Sequence, residues 1–242
     1  MKNLGRTLCG VVIVSAVTLF AQETAVSIDD EPHYSRIFSN EFCKVYEIAL
    51  DRLGEAKPIT HERNWLWMSL AGRVTEASGG TTFQSVGEPV GHEEGYSVHY
   101  RFPVHSYALR NDHINPYQGV VVELMKADES RYRIGDPSLN PATGFLSPGD
   151  TEKSYLTTLV KTNVEIDNLQ LLGGAAQEVH ASSNAHLLVA MTDIDIRREV
   201  KDVPLTEIHL SRGEVKWIAV ASTATYTNVG KDAARFALLQ MK

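Results

Sequence analysis

The chain has 242 residues, 43% of them hydrophobic and 22% charged, with a formal net charge of -7. That balance is ordinary for a folded protein, and the length allows one large domain or two of common size. An acidic chain without a basic run is a poor partner for a phosphate backbone, which excludes sequence-independent nucleic-acid binding.

The first segment has the pattern of a secretory signal. Lys2 and Arg6 precede Leu8–Ala21, which is almost uninterrupted apolar, and the polar stretch QETAVSIDDEP follows. Residues 1–21 are expected to be removed, with cleavage after Ala21, so the protein is predicted to be periplasmic or secreted. The apolar run is short for a span of about 20 residues, so no membrane association is expected once the signal is gone. Cys9 lies before the apolar core, not after it, which argues against lipid attachment. Losing residues 1–21 removes Cys9 and leaves Cys43 as the only cysteine. An exported chain of that kind has no internal disulfide and relies on a packed core. Cys43 falls in an apolar strand pattern and is expected to be buried and inert.

Residues 22–32 are polar and acidic and read as a flexible leader. From Phe38 onward, short apolar runs alternate with turn residues. The predicted strands are Phe42–Leu50, Trp65–Leu70, Val98–Val104, Gly119–Met125, Ser154–Val160, Ala185–Met191, Val215–Ala221 and Arg235–Met241. No segment holds a helical stripe beyond two turns. Evenly spaced short strands predict an all-β sandwich or barrel. Glu76–Glu94 is rich in Gly, Ser, Thr and Glu and is expected to be irregular. Asp128–Asp150 holds three prolines and three glycines and reads as a connection between halves. The predicted division is therefore an N-terminal unit over 33–127, a linker over 128–153 and a C-terminal unit over 154–242.

The two halves look alike. Residues 39–126 and 162–242 share a layout in which Asn111 follows Gly95 by sixteen residues and Asn228 follows Gly213 by fifteen. Trp67–Val74 (WMSLAGRV) aligns with Leu187–Ile194 (LLVAMTDI) at a constant offset of 120. Such self-similarity predicts one unit built twice.

Each copy resembles a cupin. Gly54 and Gly72 bracket ITHERNWLWMSLA as glycines bracket the first motif of that family. Gly95 to Asn111, with Pro103 and His105 between, resembles the second motif. SRGEVKWIAVASTATYTNVGKDAARFALLQMK resembles it more closely in spacing. The resemblance implies two tandem double-stranded β-helix (jelly-roll) barrels, a bicupin, over nearly all of the mature chain. It also implies where a metal would sit: a His-x-His pair, a Glu shortly after, and a His from the second motif, a donor set suited to Fe, Mn, Ni or Zn. This chain departs from that set. Counted from Gly54, the paired histidine positions are Thr60 and Glu62, the glutamate position falls at Trp65–Trp67, and the second-motif histidine is Tyr107. In the second copy His180 stands at the first histidine position, Ser182 replaces the second, His186 lies near the glutamate position and Ala224 replaces the last. Two histidines without a third ligand make a poor site for a tightly held metal.

Strand alternation sharpens the reading. His61 and Glu62 are adjacent, so a regular strand sends only one of them inward. His105 and Tyr107 share a face. Trp65 and Trp67 share a face, with Leu66, Met68 and Leu70 on the other. One face lines the barrel and the other packs outward, against the second copy in one arrangement. Other chemistry is thin: Ser106 lies in no Gly-x-Ser-x-Gly elbow, Gly72, Gly79 and Gly80 form no phosphate loop, and His92–Glu93–Glu94 reads as a solvated acidic loop.

Two functions follow. The first is a binding protein that needs no cofactor, with a pocket in the N-terminal barrel lined by His61, Glu62, Trp67, His105 and Tyr107 and holding a small organic molecule. The second is a metal-dependent oxygenase or isomerase-like enzyme, with His61 or Glu62 plus His105 as ligands; a metal-free variant would use His105 and Glu62 as acid and base. A homodimer is compatible with either, although the two copies can also cover each other within one chain.

Overall fold

The computed structural model describes residues 24–78, 83–86, 97–127, 144–146, 152–181, 185–219 and 222–242. Its regular structure is nearly all strand. In the first half these are β1 (Val26–Ser27), β2 (Tyr34–Ser39), β3 (Cys43–Leu50), β4 (Ile59–His61), β5 (Trp65–Ala71), β6 (Val74–Ser78), β7 (Phe83–Val86), β8 (Ser97–Arg101), β9 (Val104–Arg110), β10 (Tyr117–Leu124) and β11 (Gly144–Leu146). In the second they are β12 (Tyr155–Val160), β13 (Val164–Leu171), β14 (Ala176–Val179), β15 (Ala185–Ala190), β16 (Ile194–Glu199), β17 (Thr206–Leu210), β18 (Val215–Ile218), β19 (Ala224–Asn228) and β20 (Ala234–Met241).

Strand pairing shows the repeat directly. The first half forms two sheets, ordered β1-β4-β9-β6-β7 and β11-β8-β5-β10-β3-β2. The second forms β14-β19-β16-β17 and β12-β13-β20-β15-β18. Apart from β1 and β11, every strand of the first half has a counterpart ten numbers later with the same neighbours. In each half the two sheets close over an apolar interior. One interior holds Tyr46, Ile48, Ile59, Trp65, Trp67, Tyr107 and Val121; the other holds Leu169, Val179, Leu188, Ile196, Tyr226, Phe236 and Leu238.

A third apolar layer joins the halves. Leu66, Met68, Leu70, Val120 and Val122 pack with Leu187, Val189, Met191, Leu239 and Met241. Because neighbouring strand residues point to opposite faces, β5 sends its tryptophans into the barrel and its leucines and methionine into this layer. Phe38 and Phe42 extend the layer by packing on Trp217. Cys43 is also in this layer, fully buried, and burial pushes its thiol up to about 12.

Asn111 and Asn228 earn their repeated spacing through the same hydrogen bonds. Asn111 Nδ2 donates to Leu50 O (3.2 Å) and Asn115 O (2.9 Å), and its Oδ1 accepts from His113 N (3.0 Å). Asn228 Nδ2 donates to Leu171 O (2.8 Å) and Asp232 O (2.7 Å), and its Oδ1 accepts from Gly230 N (2.9 Å). Each asparagine thus ties the end of one sheet to the hairpin of the other.

The constant offset of 120 needs correction. In β5, Ala71 stands opposite Gln118 and Ser69 opposite Gly119, so Leu70 is an extra residue at a bulge. β15 pairs with β20 without such a step. Trp65 therefore corresponds to His186 and Trp67 to Leu188, and only beyond the bulge does the offset become 120. A bulge inserts one residue and leaves the flanking sequence pattern intact, which hides it from a linear alignment.

Other expectations shift in detail. Residues 22–32 are not simply a leader: Val26–Ser27 pairs in parallel with β4, Ile28 is buried and Glu31 is 1% exposed. Glu31 is drawn in because it accepts from His33 N and Lys57 N. The end of β6 and all of β7 lie within the stretch read as irregular, and β11 within the expected linker, where it pairs with β8. Val98–Val104 is split between two sheets at Phe102–Pro103, where proline cannot donate to a ladder. Gly79, Gly80, Gly95, Ser182 and the His92–Glu94 loop lie outside the described residues. At Gly72, φ is +70° and an added Cβ would meet Pro116 O at 2.4 Å, so only glycine fits.

Candidate functional site

The interior of the N-terminal barrel is a stack of rings. β4 alternates regularly, so Ile59 and His61 turn inward together, and Glu62, just beyond the strand, is exposed. His61 is stacked on Trp65 at 4.1 Å between centroids, and Tyr107 lies 5.1 Å from Trp65. His61 Nδ1 donates to Glu123 Oε1 (2.7 Å), and its Nε2 lies 3.2 Å from the Tyr107 hydroxyl. Tyr107 in turn meets the Tyr34 hydroxyl at 3.2 Å. Trp67 Nε1 donates to Tyr117 Oη (2.5 Å), with Ser69 Oγ 3.1 Å from the same oxygen. Burial holds the Tyr34, Tyr107 and Tyr117 phenols well above their usual range, so all stay neutral.

One charged pair crosses this wall. Arg101 Nη1 lies 2.7 Å from each Glu76 oxygen, and the guanidinium sits over Trp67 (4.9 Å) and Trp65 (5.3 Å). His99, next to Trp67, is lowered to about 4 by burial and then by Arg101.

The structure thus brings His61, Trp67 and Tyr107 into one interior and separates Glu62 from them. Glu62 lines an outer cleft of ≈ 370 Å³ with Ser27, Asp29, Lys44, Thr60, Arg63 and Glu123. His105 is on β9, and its side chain lies outside the described residues.

The donor set does not fit a metal of the kind the sequence resemblance implies. Ile59, Trp65 and Tyr107 hold the central positions, and both nitrogens of His61 are engaged. Among the described residues no three His, Cys, Asp or Glu side chains gather as ligands.

The C-terminal barrel differs at these same positions. Strand register replaces Trp65 by His186, Glu123 by Gln240, Tyr107 by Ala224 and Leu109 by Tyr226. His180, by contrast, is exposed and lies 3.6 Å from Glu178. His186 is 1% exposed, yet neither ring nitrogen has a partner at hydrogen-bonding geometry. The Tyr226 hydroxyl and Arg198 Nε and Nη2 are likewise buried without one. Alternation with Ile194 and Ile196 turns Arg198 toward the interior, and it stands opposite Tyr226 in the ladder. Asp167 Oδ1 accepts from Thr158 Oγ1 (2.5 Å) and Oδ2 from Gln240 Nε2 (2.6 Å). Burial raises the Asp167 carboxyl above its ordinary value.

His186 is lowered to about 4, first by burial and then by Arg198. It is therefore neutral near pH 7, one nitrogen donating and one accepting. The sequence reading placed His186 near a ligand position but missed Arg198 and Tyr226. The signal was present: in Ile194–Glu199 (IDIRRE) an arginine occupies the apolar parity.

His99 and His186 make the fold acid-sensitive. Their folded pKa values near 4 lie below the ordinary 6.5, so the unfolded chain binds more protons between those limits. Stability is full above about pH 6.5 and falls as pH drops toward 4, by on the order of 3 kcal/mol per histidine. Urea unfolding at pH 7 and pH 5 checks this: the midpoint should drop at pH 5, and His99→Gln should shrink the drop. Equal midpoints would contradict it.

No family model matches the chain, and no curated protein matches it in sequence. Solved structures do match. YhaK from Escherichia coli aligns with a TM-score of 0.59 at 13% identity, covering 87% of this chain and 92% of its own. Procruciferin, an 11S globulin from Brassica napus, gives 0.60 at 8% identity over 82% and 76%. An oxalate decarboxylase variant from Bacillus subtilis gives 0.53 at 12% identity over 90% and 76%. Identities this low speak for fold alone. Together with the repeated strand order and the matched roles of Asn111 and Asn228, they show that this chain has the fold of the cupin superfamily, built twice and packed back to back.

Proposed function

We propose that the protein is an exported, small-molecule-binding bicupin whose ligand seat is the interior of the C-terminal barrel. The observation that carries this reading is the group of buried polar atoms on His186, Arg198 and Tyr226 that have no partner at good hydrogen-bonding geometry, their nearest polar neighbours being Gln240 and each other. Buried polar groups are nearly always hydrogen-bonded, and each one left without a partner costs about 1–3 kcal/mol. Several such atoms on the two sheets of one barrel mark a place where a guest supplies the missing bonds. His186 and Ala224, where the other barrel has Trp65 and Tyr107, take up less room than the rings they replace. In the N-terminal interior His61, Tyr107, Tyr34, Trp67 and Tyr117 bond to one another or to their neighbours. That the fold also houses an oxalate decarboxylase supports a barrel of this kind holding a small molecule. Export enters the reading through the charged start and the Leu8–Ala21 run.

Thermal-shift measurements on the exported form, against a panel of small acids, amides, sugars and phenolics, test this. At least one class is expected to raise the melting temperature, and His186→Leu to remove the effect. A panel without a single response would overturn the reading.

A further inference from the structure

The two barrels treat their buried charges differently. In the first, Glu76 on β6 and Arg101 on β8 neutralise each other inside the wall. In the second, ladder register puts Arg198 at the position of Glu76: Glu76 stands opposite Leu109 and Arg198 opposite Tyr226, each two residues before the matched asparagine. The counterpart of Arg101 is Ile218, since Arg101 stands opposite Trp65 and Ile218 opposite His186. A cation has replaced the anion, and an apolar residue has replaced its partner.

Arg198 makes no ion pair among the described residues, and its Nε and Nη2 are buried without a hydrogen bond. Asp167, the buried acid of this barrel, is held by the neutral donors Thr158 and Gln240 and forms no ion pair with Arg198, and Glu165 lies 3.5 Å from Lys242. Arg198 is half-buried, and shutting two guanidinium nitrogens away from water without an ion pair is costly, so such a group is retained where an anion arrives to meet it.

We infer that the C-terminal barrel takes a small organic carboxylate, with Arg198 as its counter-ion; this rests on the binding reading given above. The guanidinium fork matches the two oxygens of a carboxylate. The Tyr226 hydroxyl and the neutral His186 ring each supply one further donor. The organic body lies against Val179, Leu188 and Ala224.

The experiment uses the full exported chain, with calorimetry and thermal shift for benzoate and succinate, for benzamide and succinamide, and for inorganic phosphate. At least one carboxylate is expected to bind roughly tenfold or more tighter than its amide, because a site built for a charged partner rejects the analogue that lacks it. Arg198→Met should abolish that response while keeping or raising the melting temperature of the ligand-free protein, since it removes a half-buried charge that has no ion pair. Ile218→Glu should also abolish it, by installing the carboxylate from within, and it carries the test if Arg198→Met does not fold. Amides binding as well as carboxylates, phosphate binding in preference to both, or carboxylate binding unchanged in Arg198→Met or Ile218→Glu would overturn the inference and leave the binding reading standing. No binding by any of these compounds, nor by the wider panel, would remove both.

Discussion

Replacing Leu187 with aspartate is expected to unfold both barrels together. Leu187 is fully buried in the layer between the halves, opposite Trp217 and Leu239 in its own sheet. Truncating such a leucine costs about 2–5 kcal/mol, and a carboxylate left in its place adds several more. The sum is comparable with the ~5–15 kcal/mol that holds a typical domain together. The loss should not stop at the C-terminal half, because Leu66, Met68 and Val122 of the first half are covered by that same layer. Tryptophan fluorescence reads this out. Trp65 and Trp67 are inside the N-terminal barrel, and Trp217 is between the halves. Leu187→Asp should shift the emission of all three to that of the unfolded chain. Leu187→Ala should lower the urea midpoint in a single transition. Native emission from Trp65 and Trp67 in a Leu187→Asp chain would show that the halves fold independently.

The second large effect is expected at the buried ion pair. Arg101→Met leaves the Glu76 carboxylate, 8% exposed at its side chain, without the cation that meets both of its oxygens. Breaking one side of such a pair costs about 3–5 kcal/mol, whereas replacing both partners with apolar residues is often neutral. Glu76→Leu combined with Arg101→Met should therefore be more stable than Arg101→Met alone. A double-mutant cycle in urea measures the coupling. Additive single effects would contradict the pairing. The same comparison gives the logic of the other barrel, where Arg198 stands without such a partner.

Much of this architecture could be read from the residues. The alternation of Trp65 and Trp67 with Leu66, Met68 and Leu70 separates the barrel interior from the shared layer, because a strand exposes its neighbours to opposite sides. The repeated asparagine spacing marks equivalent tethers. What alternation could not supply was register. The bulge at Leu70 moves the correspondence of the halves by one residue, so Trp67 matches Leu188 and not Leu187. Likewise, that Ile59 and His61 form the inward set of β4, with Glu62 left outside, depends on how β4 pairs with β9. Pairings between distant residues were also hidden. Glu76 and Arg101 are 25 residues apart in the chain, and Tyr226 stands opposite Arg198 only once β16 and β19 are side by side. The candidate site follows from those pairings, so it came from the fold and not from motif positions.

Imidazole NMR of the nine histidines, recorded while benzoate or succinate is titrated into the exported chain, decides most directly which barrel receives a guest. The account predicts that the His186 ring signals move in step with binding while those of His61, locked between Glu123 and Tyr107, stay in place. Movement at His61 with His186 unchanged would contradict it.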